Sequence, residues 1–237
     1  SYVSRLPAYA SVVREFKQAL AQDLFLALAE NVALTKLHGQ NGAMQMVSDL
    51  QDVISAVVDC GLVEDPEAVG WPFLQLKAFK SVLVRGLGNG EDADEELPEP
   101  SIVIANPQLR SLLPSVALCH LFNFAPASIK TPPATSGLSP NVYLSKLRGA
   151  AESGSPQSLH VSSDTLTSLE RTVLQRENLS IRALRDALDY NQQRLSTDQE
   201  ALQFLDLARD VCAALVSDFE DRMRQSGKFL GGPSAES

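Results

Sequence analysis

The sequence has few of the residues that hold small or secreted domains together. Its 237 residues include only three Cys, at positions 60, 119 and 212, which form no CxxC pair and no His-rich ligand cluster. This spacing excludes a disulfide-stapled scaffold and a structural zinc site. We therefore interpret the cysteines as reduced residues of an intracellular protein, and a chain of this length can bury a core without staples.

Long apolar runs and a surplus of basic residues are also missing. No stretch of about 18 apolar residues could span a bilayer, and the N-terminus lacks the basic and then apolar profile of a signal peptide. With 29 acidic against 20 basic residues the net charge is -9, opposite in sign to that of a nucleic-acid binder. Because the chain starts at Ser1 rather than Met, we expect a soluble fragment of a longer protein.

Helical periodicity runs through almost the whole chain. Apolar residues at three- and four-residue intervals predict long helices over 12–37, 46–61, 72–85, 163–195 and from 197 onward, with a chain reversal at 39–42. A shorter helix is predicted near 141–151. A buried helix is predicted over 112–124, after Asn106 and Pro107 as N-cap and first turn, and it either starts late or is kinked at Pro114. These patterns predict an all-α fold of stacked antiparallel helical bundles that form a rod.

The chain is expected to divide into four parts. Residues 1–86 form a first helical bundle segment, 87–105 an acidic flexible loop, 106–227 a second bundle segment and 228–237 a disordered tail. Six of the 29 acidic residues lie between positions 91 and 99, so most of the net charge belongs to the loop. The predicted core includes Leu20, Leu24, Leu50, Ile54, Leu112, Val116, Leu205, Cys212 and Leu215.

Three groups of residues could in principle take part in ligand binding or catalysis, and each also has a simpler structural interpretation. The glycines at 86–90 follow a helix and lead into acids, whereas a phosphate loop must open a helix. Cys119 and His120 are neighbours on an apolar helix, where their side chains diverge, so packing is favoured over nucleophilic catalysis. Asp49 and Asp52 share a helix face but have no accompanying ligands. We therefore assign no catalytic residue, no cofactor and no metal site.

Three segments together resemble a known family. They are 39–44 with 48–50, then 72–80, and finally the end of the apolar helix at 121–127 followed by 130–132. Their order is similar to the C-terminal part of subunit 5 of the conserved oligomeric Golgi complex, a multisubunit vesicle tether. The resemblance implies a non-enzymatic leg of stacked helical bundles on the cytoplasmic face of Golgi membranes and in the cytosol. It would act in intra-Golgi retrograde transport with sibling subunits and membrane-fusion proteins, with peripheral and indirect membrane association.

If the chain is the distal end of such a leg, it should present a partner-binding surface at its tip. We expect this surface at Lys77, Lys80 and Lys130, which lie beside helix ends and irregular backbone. Ordinary surface charge is the simpler interpretation of these lysines. We expect a monomeric fragment that binds no nucleic acid. Two alternatives remain: a helical adaptor of another assembly, such as another tether or a cytoskeletal linker, and a helical enzyme or enzyme regulator.

Overall fold

Helices form all the regular structure in the part of the chain that can be described. The computed structural model describes residues 6–37, 39–86, 100–152 and 167–226, and no strand occurs in these ranges. The α-helices are α1 Leu6–Ala33, α2 Gly39–Asp59, α3 Trp71–Arg85, α4 Pro100–Ala105, α5 Pro107–Arg110, α6 Pro114–Leu121, α7 Pro132–Thr135, α8 Pro140–Glu152, α9 Ser168–Arg194 and α10 Gln199–Ser226. The all-α prediction is confirmed, and the rod-like stacking stays an expectation.

Proline determines where the helices around residue 110 begin. The side chain of Asn106 accepts hydrogen bonds from the backbone N–H groups of Gln108 (2.9 Å) and Leu109 (3.3 Å), which makes it the predicted N-cap. The helix that it caps, α5, ends after four residues, and α6 starts afresh at Pro114. Proline has no N–H to donate to a preceding turn, so it is suited to the first position of a helix. The predicted helix over 112–124 therefore starts late rather than continuing with a kink.

Three other predicted boundaries differ from the observed ones. α2 begins at Gly39 itself, with φ of 65°, so the reversal precedes 39–42. α9 runs unbroken from Ser168 and is capped by a reciprocal pair, in which Thr167 N–H donates to Glu170 (2.8 Å) and Glu170 N–H donates to the Thr167 hydroxyl (3.3 Å). α10 begins at Gln199, two residues after the predicted start at 197, and Asp198 accepts from the backbone N–H of Ala201 (3.1 Å).

One hydrophobic cluster joins the two predicted bundle segments. α1 packs on α3, and α6 lies among α1, α9 and α10. The largest fully buried side chains include Phe25 and Phe79 from the first segment and Phe204 and Phe219 from the second. Seven residues of the predicted core are buried: Leu50, Ile54, Leu112, Val116, Leu205, Cys212 and Leu215.

The first half of α1 does not pack as predicted. Leu24 is only partly buried, and Leu20, which was predicted in the core, is 47% exposed. The reason is that the apolar face of α1 changes sides: Phe25 and Val32 face the body, whereas Phe16 and Leu20 lie on the other side of the helix. The prediction that Leu20 lies in the core was therefore wrong.

The predicted acidic loop is shorter at its C-terminal end. Residues 100–105, the last six of the segment predicted over 87–105, form α4, and Val103 is buried in the core. Helical residues with a core contact belong to the fold, so that boundary was wrong. The remainder of the predicted loop, 87–99, and the predicted tail, 228–237, lie outside the described residues.

Candidate partner-binding surface

A groove between α2 and α3 brings apolar and cationic side chains together. It has a volume of about 570 Å³ and is open to solvent along its length. Its apolar lining comes from Val47, Ile54, Phe73 and Val84, and its cationic lining from Lys77, Lys80 and Arg85. Because an apolar strip edged by charges can bury a side chain and pair with an opposite charge at once, this groove is suited to a protein segment of acidic character. We call it the α2/α3 groove.

Lys77 lies on the solvent side of the groove and is paired within the chain. Its Nζ lies 2.8 Å from Oε1 of Glu67, with both side chains about 60% exposed. The bond and the charge of Lys77 lower the pKa of the Glu67 carboxyl. Glu67 is held in place by a 3₁₀ turn at Pro66–Val69, in which the side chain of Asp65 accepts from its backbone N–H at 2.9 Å. An exposed pair of this kind contributes little to stability, so Lys77 can exchange Glu67 for a partner's carboxylate.

Lys80 sits deeper and is attached to α2. Its Nζ donates to Oε1 of Gln51 at 2.6 Å, and partial burial lowers its pKa. A neutral amide oxygen does not neutralise the ammonium group. Lys80 therefore keeps a positive charge in a partly desolvated position, where attraction to an anion is stronger than in open water.

Lys130 belongs to a different part of the fold. Its backbone N–H donates to the side chain of Asn191 (2.8 Å), which in turn donates to the Lys130 carbonyl (2.8 Å). Its Nζ lies 5.5 Å from the ring centroid of Tyr190, within range of a cation–π contact. Both partners are on α9, whereas Lys77 and Lys80 line the α2/α3 groove. The structure thus brings two of the three predicted partner-binding lysines together and places the third on another element.

The residues that the sequence analysis considered for catalysis or ligand binding lie outside the lining of the α2/α3 groove. The ring of His120 makes edge contacts with Phe79 (5.1 Å) and Phe124 (5.5 Å), and burial lowers its pKa to about 4. Burial raises the pKa of the Cys119 thiol, which is the opposite of what a thiolate nucleophile needs. Asp49 is exposed and accepts from Gln45 (2.7 Å). Gly86 caps the C-terminus of α3 with φ of 71°, as a helix-ending glycine does.

A buried polar cluster was not expected from the sequence. Glu30 of α1 is 9% exposed and forms ion pairs with Arg148 of α8 (2.9 Å) and Arg176 of α9 (2.8 Å). Next to Arg176, Glu177 accepts from the backbone N–H (2.6 Å) and hydroxyl (2.5 Å) of Ser115. The polar run at 176–178, which interrupts the apolar face of α9, was the available sequence signal for this cluster.

The cluster has perturbed acid–base properties but little room. Burial raises the pKa of Glu177 to about 7, against the lowering effect of its two bonds from Ser115. The adjacent cavity, lined by Glu30, Ser115, Tyr143 and Arg176 among others, measures about 20 Å³. That volume is far below the 300 Å³ or more of a typical small-molecule site. We therefore interpret the cluster as a structural junction between α1, α6, α8 and α9.

Comparisons with known proteins identify no family or relative for this chain. Scans against protein-family models, curated proteins and solved structures returned no match. Within the described ranges, no three His, Cys, Asp or Glu side chains are grouped so that they could hold a metal ion. Among the helices described above, none combines the length and the apolar character needed to cross a membrane.

Proposed function

We propose that this chain is a non-catalytic scaffold segment of a Golgi vesicle-tethering complex that acts in intra-Golgi retrograde transport. In this proposal it works at the cytoplasmic face of Golgi membranes, with sibling subunits and membrane-fusion proteins as partners. The observation that supports it is the α2/α3 groove, because its apolar lining and cationic residues provide a surface for binding an acidic protein segment. The resemblance in sequence order supplies the Golgi setting.

Within this proposal, Lys77 and Lys80 attract the partner and the apolar lining holds it. Lys77 gives up only an exposed ion pair when it binds a new carboxylate, and Lys80 contributes a charge that Gln51 leaves unneutralised. Binding of this type weakens as salt screens the charges. Lys130, which packs on Tyr190, contributes to the same surface only if a partner spans from α3 to α9.

The test is partner recovery from cytosol by the tagged protein and by a Lys77→Glu/Lys80→Glu double variant. We expect the variant to recover the partners at least five-fold less well at low salt, with a smaller difference at moderate salt. A matched control, Lys36→Glu/Lys146→Glu, makes the same charge change at two exposed positions elsewhere. Circular dichroism should show equal helicity for all three proteins.

The identity of the recovered proteins decides the setting. Tether subunits or membrane-fusion proteins that depend on Lys77 and Lys80 support the proposed function. Recovery of a different assembly with the same dependence would instead favour the helical-adaptor alternative. Equal recovery by both double variants would remove the α2/α3 groove from consideration.

A further inference from the structure

The polar junction around Glu30 contains a tyrosine hydroxyl that makes no hydrogen bond within the described chain. Tyr143 of α8 is 4% exposed, and its Oη atom is buried without a bonded partner. An unpaired buried polar group costs stability, and most buried polar groups in folded proteins bond either to protein or to ordered water. The Tyr143 hydroxyl is therefore the group in this junction whose surroundings need an explanation.

This tyrosine lines the small cavity of the junction. The other polar side chains of the lining include Glu30 from α1, Ser115 from α6, and Arg176 and Ser180 from α9. Four helices thus contribute polar groups to one volume.

The Tyr143 hydroxyl can act as a donor in this cavity. Burial raises its pKa, and Cys119 and Glu177 act in the same direction. The hydroxyl therefore keeps its proton. It needs an acceptor, and Arg176 cannot serve because a guanidinium group only donates.

The two serine hydroxyls have the complementary property. Ser115 donates its proton to Glu177 at 2.5 Å, and Ser180 donates to the backbone carbonyl of Arg176 at 2.9 Å. Each serine oxygen can still accept a hydrogen bond. A molecule that joins the three hydroxyls must accept from Tyr143 and donate to the serines, and water does both.

The size and charge of the cavity favour the same occupant. A volume of about 20 Å³ exceeds the roughly 10–15 Å³ that one water molecule needs and is too small for a larger molecule. The carboxylate of Glu30 repels an anion, and the guanidinium groups of Arg148 and Arg176 that bond to it repel a cation. The cavity is therefore suited to a small neutral molecule.

We propose that this cavity is a binding site for one ordered water molecule, which accepts a hydrogen bond from the Tyr143 hydroxyl and donates to the hydroxyls of Ser115 and Ser180. The water gives α8 a polar link to α6 and α9, in addition to the ion pair of Arg148 with Glu30. This proposal depends neither on the α2/α3 groove nor on the tethering function.

The sign of one stability change tests the proposal. Tyr143→Phe removes the hydroxyl and keeps the ring. If the hydroxyl bonds to water, urea titration of the variant should show an equilibrium constant for unfolding at least about five-fold larger than that of the wild type. If the hydroxyl is unpaired, its removal should lower that constant. Tyr9→Phe makes the same change at a 67% exposed position and should leave the constant unchanged.

A double variant tests whether Tyr143 and Ser180 bond to the same molecule. Tyr143→Phe and Ser180→Ala should together raise the unfolding constant by less than the product of their separate effects, because either change alone disrupts the one water site. Tyr9→Phe combined with Ser180→Ala is the matched control and should give the simple product. Independent effects of Tyr143→Phe and Ser180→Ala would contradict a shared water.

A crystal structure of the unchanged chain identifies the partner directly. We expect one ordered water molecule within hydrogen-bond distance of Tyr143 Oη and of the Ser115 and Ser180 hydroxyls. A direct bond from Tyr143 to another side chain would overturn the proposal, as would a cavity without solvent density. An unfolding constant for Tyr143→Phe that falls, or that matches the wild type as closely as Tyr9→Phe does, would overturn it as well.

Discussion

The carboxylate of Glu177 on α9 holds the first turn of α6 by accepting both the backbone N–H and the hydroxyl of Ser115, at 2.6 Å and 2.5 Å. A helix that begins with Pro114 has no side-chain cap of its own at the preceding residue, Leu113. Glu177 supplies the missing acceptor from 62 residues further along the chain. The central helix of the core is thus anchored by a buried carboxylate, and its protonation state affects stability.

Replacing Glu177 with Gln should change how stability depends on pH. The pKa of Glu177 is raised to about 7 in the folded protein, so the folded state keeps a proton that the unfolded state releases above about pH 4.3. Its contribution to stability is therefore fully present below that pH and is lost as pH rises towards 7. His120, whose pKa is lowered to about 4, acts in the opposite direction and destabilises the fold as pH falls below about 6.5.

These two opposing effects make the prediction specific. Between about pH 4.5 and 6.5 they offset each other in the wild type, whereas Glu177→Gln leaves the His120 effect alone. We expect the urea midpoint of the variant, relative to wild type, to rise by an amount equivalent to roughly 3 kcal/mol between pH 4.5 and 7.5. If the difference in urea midpoint between the wild type and the variant stays constant over this pH range, the raised pKa of buried Glu177 is contradicted.

Substitution of Glu30 should lower stability far more than substitution of an exposed, ion-paired glutamate. It forms ion pairs with Arg148 and Arg176 from two other helices, and its removal leaves both guanidinium groups without this carboxylate. We expect Glu30→Ala to lower the free energy of unfolding by about 3 kcal/mol or more, as is typical when one partner of a buried ion pair is lost. Glu67→Ala, which removes only the exposed pair with Lys77, is the control and should leave the urea midpoint unchanged. Similar losses for the two variants would contradict this ranking.

The order and kind of the helices could be predicted because they depend on local rules. The bounds of α3 and α8 follow from apolar spacing and nearby Pro and Gly, and the cap at Asn106 follows from its side chain and the proline after it. The Thr167–Glu170 cap is equally local, because its T-x-x-E spacing is by itself a signal for a helix N-terminus. Such features need no knowledge of the rest of the fold.

The burial of single residues could not be predicted in the same way. Glu30 is buried because arginines 118 and 146 positions away reach it, and no periodicity within α1 contains that information. The stripe at Phe16 and Leu20 has the same spacing as a core-facing stripe, and only the tertiary structure shows that nothing in the described chain covers it. The proximity of Lys77 and Lys80 could be predicted because they share one helix face. The position of Lys130 relative to them depends on long-range packing, which the sequence pattern does not contain.

Leu215 and Leu20 were both predicted in the core, but only Leu215 is buried. The two residues therefore test whether observed burial, rather than apolar spacing, determines the loss of stability. Leu215 on α10 is 3% exposed and Leu20 on α1 is 47% exposed. We expect Leu215→Ala to reduce the free energy of unfolding by about 2–5 kcal/mol through lost burial and the cavity that remains. Leu20→Ala should reduce it by less than about 1 kcal/mol, as surface substitutions do. Denaturant titration of both variants checks this, and comparable losses would mean that the first half of α1 is covered.

The three cysteines should differ sharply in reactivity towards a thiol reagent. Cys60 is exposed at the end of α2, whereas Cys212 is buried in the core. Burial raises the thiol pKa of both Cys119 and Cys212, which lowers the fraction of reactive thiolate. In the native protein we expect Cys60 to react with a disulfide reagent at least a hundred times faster than the other two, and all three to react at similar rates in urea. Cys60→Ser is the control and should remove the fast phase. Fast native reaction of Cys119 in that variant would contradict the packing assigned to α6 and revive a reactive thiol beside His120.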